Sequence, residues 1–361
     1  MDFLVQNALD GLKNSNLNNV EVGKANIHVV GCGGAGNNMV SWLYKKGIQG
    51  AEIYAINTDK QHLDISEADA KVLIGPTVTR GLGCGGYPQK GTEAAKESMH
   101  EIRELIKGSD MVFICAGMGG GTGTGTAPVV AQIAKDCGAI VIGTVTMPLA
   151  IEKARVDKAE FGLQQLREVS DTVIVIDNNR LVSIAGNLPL KQAFAVANEL
   201  ISTMIKGIVE TIAVPSLVNL DYADVKAIMT NGGVSVIGIG ESDTANRVDE
   251  AVKRALSNPL LDVNYDGATG ALIHITGGDD LTLDEVSKVG EIVTNSLDPD
   301  AQVIWGARIC EDMNNKVRVM TIITGVNSPY ILGKVDHAKE SITRQDRLSK
   351  ELGIEMIRTR Y

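Results

Sequence analysis

The chain has 361 residues, 44% of them hydrophobic but only 4% aromatic, and a net charge of −10 with a pI near 5.1. That length allows two domains with cores of Ile, Val, Leu and Ala, and the acidic balance argues against a nucleic-acid surface, which clusters Lys and Arg. Five cysteines, an odd number with no C-x-x-C spacing, fit a reducing compartment better than a disulfide framework; no apolar run approaches the roughly 20 residues of a membrane span, and no cleavable leader pattern is seen.

Residues 1–24 place Phe3, Leu4, Ala8, Leu9 and Leu12 at roughly helical spacing, as in a docked or frayed terminal helix. Few basic residues argue against a membrane-surface helix. A strand is expected at Ala25–Val30, running into Gly31-Cys32-Gly33-Gly34-Ala35-Gly36-Asn37-Asn38 and a helix through Met39–Lys46. Gly31, Gly33 and Gly36 satisfy G-x-G-x-x-G in the strand–turn–helix context of a dinucleotide site. Taken alone, this signals a nicotinamide or flavin enzyme. Glu52 lies near the spacing of a ribose-binding acid, but it precedes the next strand, Ile53–Asn57, instead of ending it. Thr58 and Asp59 end that strand, as a ribose, phosphate or magnesium contact or as an Asx turn. Strand Lys71–Ile74 leads to a second glycine-rich loop, Gly81-Leu82-Gly83-Cys84-Gly85-Gly86-Tyr87-Pro88, and then a helix at Gly91–Lys107.

The apolar run Met111–Met118 enters Gly119-Gly120-Gly121-Thr122-Gly123-Thr124-Gly125, and a helix is expected over Ala127–Cys137 with Pro128 in its first turn. Glycines let successive N–H groups turn inward as an anion nest. The helix N-terminus adds donors and partial positive charge, and the two threonines add hydroxyls. The loop is built for phosphate; the plain alternative, a flexible linker, rarely lies between a buried strand and a helix. Strand Ala139–Thr146, helix Lys153–Val169 and strand Thr172–Ile176 continue the alternation. Such a pattern predicts a parallel sheet with helices on both faces. Its ligand binds beyond the carboxyl ends of the strands, where all three glycine loops fall.

After Asn178-Asn179-Arg180, the stretch Leu190–Ala213 is apolar around most of its axis, as in a buried helix ended by Pro215. Asn219-Leu220-Asp221-Tyr222-Ala223-Asp224-Val225-Lys226 opens a short helix. Asp221 and Asp224 share a face, for which helix capping is the plain reading. Strands at Ser235–Gly238, Ala271–Thr276, Gln302–Ile309 and Val317–Thr324, with helices at Ala245–Leu256 and Leu283–Ser296, predict a smaller α+β domain. Residues 328–361 are polar, with a helix expected at His337–Leu352 and an apolar end at Ile354, Met356 and Ile357. The expected division is 1–24 as an extension, 25–189 as a nucleotide-binding domain, 190–214 as a central helix, 215–326 as a second domain and 327–361 as a tail.

Three glycine loops on one sheet edge are too many for a Rossmann enzyme, and the Walker lysine pattern is absent. Glycine loops without that lysine, followed by a long buried helix, resemble the tubulin/FtsZ superfamily. The motifs that carry the resemblance are Gly31–Asn38, Asn57-Thr58-Asp59, Thr79-Arg80-Gly81-Leu82-Gly83, Gly119–Gly125, Pro148 with Glu152 and Arg155, and Asn219-x-Asp221-Tyr222-Ala223-Asp224-Val225. They run from about Ile27 to Gly325 in the family's order. The string Gly119–Gly125 is similar to FtsZ more than to tubulin, which usually has Ser at the second hydroxyl position. Leu149 and Thr126 depart from the residues common in relatives, at positions away from the proposed chemistry.

The resemblance implies a GTP-hydrolysing filament protein of prokaryotic cell division, cytoplasmic and gathered at mid-cell. It implies GTP/GDP as the nucleotide, with Mg²⁺ held mainly by the nucleotide phosphates and no residue assigned as a metal ligand. Gly33, Gly34, Thr122, Gly123 and Thr124 would contact phosphates, with Asn37, Asp59, Gly120, Gly121 and Gly125 also among the nucleotide contacts. Gly83, Cys84, Gly85 and Gly86 would approach the γ-phosphate. Glu152 would contact the ribose and Arg155 the sugar–phosphate region. Asn38, Asn178, Phe194 and Asn198 would surround guanine, Phe194 as a stacking face, although periodicity alone favours a core position for it. Asn198 stands where many relatives carry Asp and offers a single acceptor oxygen, so guanine preference is expected to be weaker.

In the same reading Asp221 and Asp224 position or activate the attacking water and Asn219 orients it, delivered by the next subunit of a head-to-tail homopolymer. The end Ile354–Tyr361 is a candidate contact for a membrane anchor or division regulator, and the short tail suggests an archaeal-type member. No nucleic-acid partner and no membrane insertion are expected. Two alternatives stay open: a nicotinamide-dependent oxidoreductase built on Gly31–Gly36, and a non-hydrolysing tubulin-like scaffold.

Overall fold

The structure, a computed structural model, describes residues 25–333 except 215, 219, 221, 232–234, 258–264, 266, 296 and 327–330. The expectations for residues 1–24, for the His337–Leu352 helix and apolar end, and for Pro215, Asn219 and Asp221 lie outside the described residues.

In chain order the elements are β1 (Ile27–Cys32), α1 (Gly33–Lys46), β2 (Ala51–Asn57), α2 (Lys60–Ile65), β3 (Ala70–Leu73), α3 (Pro76–Thr79), α4 (Pro88–Glu97) and α5 (Met99–Ile106). They continue with β4 (Met111–Gly117), α6 (Thr122–Asp136), β5 (Ile140–Met147), α7 (Ala154–Val169), β6 (Thr172–Asp177), α8 (Asn178–Ala185) and α9 (Leu190–Ala213). The remainder comprises α10 (Tyr222–Asn231), β7 (Ser235–Ser242), α11 (Arg247–Leu256), β8 (Ala268–Gly277), α12 (Leu283–Thr294), β9 (Leu297–Ile309), β10 (Val317–Thr324) and β11 (Ile331–Gly333).

The first sheet has the order β11-β6-β5-β4-β1-β2-β3, parallel except for β11, which pairs antiparallel with β6. Central strands such as β4, Met-Val-Phe-Ile-Cys-Ala-Gly, are apolar throughout because helices cover both faces. Alternate residues serve the two layers. Val29, Phe113 and Ile53 face Leu43 of α1 and Ile205 of α9, whereas Val30, Ile114 and Ile56 face Val130 of α6 and Ile102 of α5. The first layer continues without a break into Leu272 and Ile322 of the second sheet, so α9 is shared by both units. That sheet, β7-β10-β8-β9, is mixed: β10 is antiparallel to both neighbours, and β8 and β9 are parallel.

Four expectations change. The strand β11 falls in the stretch read as polar tail. The helix expected at Gly91–Lys107 is two, broken at Ser98, whose hydroxyl accepts from Gly75 N–H at 3.1 Å. Helix α6 begins at Thr122 instead of Ala127, so half of the glycine string is helical and Pro128 lies inside the helix. Such a proline removes one intrahelical bond, to the residue four before it. Finally, α9 is buried only in its second half. Its first turns expose Phe194 and Val196.

Candidate functional site

Strands β1 and β4 are neighbours, and each ends in a glycine loop at the same sheet edge, so α1 and α6 start side by side. Gly33, with φ +71°, occupies a left-handed conformation, and a Cβ there would lie 2.7 Å from Gly123 N. A Cβ on Gly123 would meet the carbonyl oxygens of Gly117 at 2.8 Å and Cys32 at 3.1 Å. The two loops therefore pack backbone to backbone. Both helices present first-turn N–H groups without intrahelical acceptors, and both dipoles place positive charge at the same point.

In front of them lies a cleft of about 350 Å³ that brings together Gly34, Gly120, Gly121, Thr122, Gly123, Glu152, Arg155, Asn178 and Phe194. Its phosphate end has a polar floor. The hydroxyls of Thr58 and Thr122 share a hydrogen bond of 2.7 Å, and Cys84 Sγ lies 3.4 Å from the first and 3.5 Å from the second. Loop 84–87 stands against the cradle: a Cβ on Gly121 would meet Cys84 Cβ at 2.6 Å and Tyr87 N at 3.0 Å. Gly83 is tied back by its N–H to Thr58 O at 3.1 Å. Burial pushes the thiols of Cys32 and Cys115 up, Cys115 to about 12, so neither is a nucleophile near neutral pH.

At the far end, Phe194 leaves 40% of its surface open at the cleft wall, which answers to a stacking face better than to core packing. Asn178 opens α8 beside it, where Asp177 caps the helix by accepting from Asn179 N–H. Between the two ends, Arg155 Nη1 donates to Glu152 Oε2 at 2.6 Å, while Glu152 Oε1 accepts from Leu149 N–H at 3.0 Å.

Other expected contacts stand outside the cleft. Asn37 is fully buried; with its amide turned so that the nitrogen faces the carbonyls of Gly31 at 2.9 Å and of Gly33 and Ile56 at 3.2 Å, its two N–H donors are shared among them and its oxygen accepts from Asn57 Nδ2. The structure thus gives Asn37 the task of holding the loop's shape. Thr124 is also buried, its hydroxyl accepting from Gly119 N–H at 2.9 Å. Asp59 caps α2 by accepting from His62 N–H at 3.1 Å, the Asx-turn alternative. Gly125 packs against α4, Asn38 is exposed on α1, and Asn198 is half-buried one turn beyond Phe194.

The start of α10, with Tyr222 and Asp224, is at the other edge of the sheet. Tyr222, first residue of α10, donates its hydroxyl to Asp110 O at 2.7 Å. Asp110 directly precedes β4, whose opposite end feeds the cleft. Seven strand residues at about 3.3 Å each put roughly 20 Å between the two ends. Asp224, two residues beyond Tyr222, is half-buried in the first turn of α10. Glu52 is likewise at the wrong end of β2 for a ribose at the cleft, and it accepts from the Tyr54 hydroxyl. A nicotinamide site would lack its ribose acid.

Thr58, in the Asn57-Thr58-Asp59 motif, follows β2, and its hydroxyl partner Thr122 is 64 residues away. A second residue close to the site carries no motif. Lys158, in α7, donates from Nζ to Gly86 O at 2.8 Å, and nothing in the sequence signalled it.

Comparison with known proteins agrees with this architecture. Residues 26–186 match the model of the Tubulin/FtsZ family GTPase domain, and residues 233–327 that of the FtsZ family C-terminal domain. "Cell division protein FtsZ 2" of Methanocaldococcus jannaschii is 57% identical over 351 residues, covering 96% of this chain and 92% of that protein. "Cell division protein FtsZ 2" of Halobacterium salinarum is 52% identical over 326 residues, covering 90% and 83%. A solved FtsZ dimer of M. jannaschii superposes with a TM-score of 0.77 at 53% identity, covering 89% of this chain and 91% of that one.

Proposed function

This chain belongs to the Tubulin/FtsZ family, and on that premise we propose that it binds and hydrolyses GTP and assembles head to tail into filaments for cell division. The observation that carries the reading is the separation within one chain: a glycine cradle at the carboxyl ends of the strands, and the start of α10 with Asp224 at their amino ends. A contact between the top of one subunit and the underside of the next joins them, and a contact of that kind produces filaments when its rotation does not close.

In this reading residues 25–189 hold the nucleotide, 190–214 form the shared helix and 215–326 carry the acidic loop. The N–H groups at the starts of α1 and α6 and the Thr122 hydroxyl hold the phosphates. Arg155 lies along the sugar–phosphate region with Glu152 on the ribose. Phe194 stacks on guanine, and Asn178, Asn38 and Asn198 complete its surroundings. Cys84, Gly85 and Gly86 meet the γ-phosphate. The phosphate end of the cleft offers backbone N–H groups and the Thr122 hydroxyl, which suit an anion, and Mg²⁺ is carried mainly by the phosphates and neutralises their charge. Asn219, Asp221 and Asp224 of the next subunit orient and activate the attacking water. Phosphoryl transfer needs mainly such positioning and charge stabilisation. The protein works in the cytoplasm at the division site, and Ile354–Tyr361 receives a membrane anchor or regulator.

Mixing two inactive variants tests the shared site. Asp221→Ala and Thr122→Ala are each expected to hydrolyse GTP poorly, and their mixture to regain activity, because one junction type draws an intact cradle and an intact acidic loop from different subunits. Mixtures that co-assemble without recovery would place the whole site in one chain.

A further inference from the structure

Loop 80–87 follows a path of left-handed residues that is supplied mostly by glycine. Arg80, Gly81, Gly83, Gly85 and Gly86 all have positive φ, and Arg80 is not a glycine. Its first half is pinned by two backbone bonds, Lys60 N–H to Gly81 O at 3.0 Å and Gly83 N–H to Thr58 O at 3.1 Å. The second half is held at the Cys84 side chain, against Thr58 and Thr122, and at the Gly86–Tyr87 peptide. Tyr87 N–H donates to Cys84 O at 3.2 Å, and the carbonyl of the same peptide, Gly86 O, accepts from Lys158 Nζ at 2.8 Å. The Lys158 ammonium also stands 5.6 Å from the centre of the Tyr87 ring, with Lys90 at 5.7 Å. Lys158 thus bridges from α7 to the loop from outside the cleft.

With that peptide fixed at both ends, the N–H groups of Gly85 and Gly86 donate to no protein acceptor among the described residues. Both belong to the segment packed against Gly121 of the phosphate cradle.

We propose that Lys158 is a positioning residue that latches the Gly86–Tyr87 peptide, so that Gly85 and Gly86 present their N–H groups to the terminal phosphate, and that this latch sets the preference for GTP over GDP. This rests on the nucleotide reading above. GDP ends short of the loop, so its binding should not depend on how the loop is held. GTP binding should, because a displaced peptide would carry the two donors away from the γ-phosphate.

The test is the ratio of GDP to GTP dissociation constants, measured on dilute, unassembled protein. Lys158→Met keeps the stem and removes the donor. It should lower the ratio about tenfold, the scale of a hydrogen bond to a charged group, with GDP affinity unchanged within about twofold. Lys158→Arg, which can still donate to Gly86 O, should recover most of the preference. Lys158→Gln serves as the second uncharged variant should the Met variant fail to fold. A latch defect should persist in roughly 1 M salt, where screening shortens the range of a bare charge to about 3 Å.

An unchanged ratio, equal weakening of both nucleotides, or a defect abolished by salt would each overturn the latch. An unaltered protein that bound neither guanine nucleotide would overturn the parent reading and the latch together, which separates the two failures.

Discussion

Replacing Gly125 by alanine sets two effects of opposite sign against each other. Alanine is the better helix former by about 1 kcal/mol in a helix interior. The site of the new methyl group is occupied, however. A Cβ on Gly125 would stand 2.0 Å from Pro88 O and 2.7 Å from Thr92 N, both backbone atoms of α4. Ordinary contact needs about 3.5 Å, so α4 must retreat by more than an ångström. Overpacking of this kind costs about 1–3 kcal/mol. The retreat also endangers the bond from Thr92 Oγ1 to Gly125 O, 3.1 Å long and worth about 1 kcal/mol.

The clash therefore outweighs the propensity gain, and a net loss of about 1–3 kcal/mol is expected. In urea titration without nucleotide this appears as a lower midpoint, and in thermal unfolding as a Tm lower by about 1–2 °C per kcal/mol. Pro88 also follows directly on loop 84–87, so GTP affinity should fall with stability. Gly290 in α12 is the control, since nothing lies within 4 Å of a Cβ there. Gly290→Ala should stabilise by up to about 1 kcal/mol. A Gly125→Ala protein stabilised to the same degree, with GTP binding intact, would refute the packing reasoning.

Phe194→Ala should weaken guanine-nucleotide binding about tenfold, the scale of one base–aromatic stack, and cost less stability than truncating a fully buried phenylalanine, because the ring is 40% exposed. Lost stability with unchanged binding would return Phe194 to the core. Burial, with cationic Arg308 nearby, holds the His274 imidazole down at about 4, against an ordinary value near 6.5. The folded-state value lies below the unfolded one, so the contribution is complete above pH 6.5 and is lost as the pH falls towards 4. The loss is on the order of 3 kcal/mol. Urea titrations across that window should show it, and His274→Gln should flatten the profile; an equally steep profile in the variant would assign the acid sensitivity elsewhere.

The alternation of strands and helices was legible because the central strands are covered on both faces and so read as unbroken apolar runs. Helix α9 has the bounds read from its apolar stretch, Leu190–Ala213, with Pro215 as the end signal in the sequence. The start of α6 was not legible. Thr-Gly-Thr-Gly is a poor helix former, and it is helical because its glycines let the backbone approach the carbonyls of Cys32, Gly117 and Pro88. Those partners are distant in sequence. Strand β9 is expected from Gln302 but starts at Leu297 and takes in Asp298-Pro299-Asp300, residues poorly suited to a strand interior. An exposed sheet edge tolerates such residues.

Within the site, the glycine pattern marked the cradle but could not sort its members. Gly34 and Gly123 line the cleft, Gly125 separates two helices, and Asn37 satisfies backbone carbonyls. Each of those tasks is decided by what the fold places opposite the residue. Lys158 shows the converse, a side chain with no motif that reaches the loop only because α7 runs beside it.

The measurement that bears most directly on the shared site is GTP hydrolysis per molecule as a function of protein concentration, with light scattering recorded alongside. A cradle at one end of the subunit and the start of α10 with Asp224 at the other predict little turnover in dilute protein and a cooperative rise that coincides with the onset of scattering. A turnover per molecule that stays constant across the assembly threshold would contradict a site completed by the next subunit.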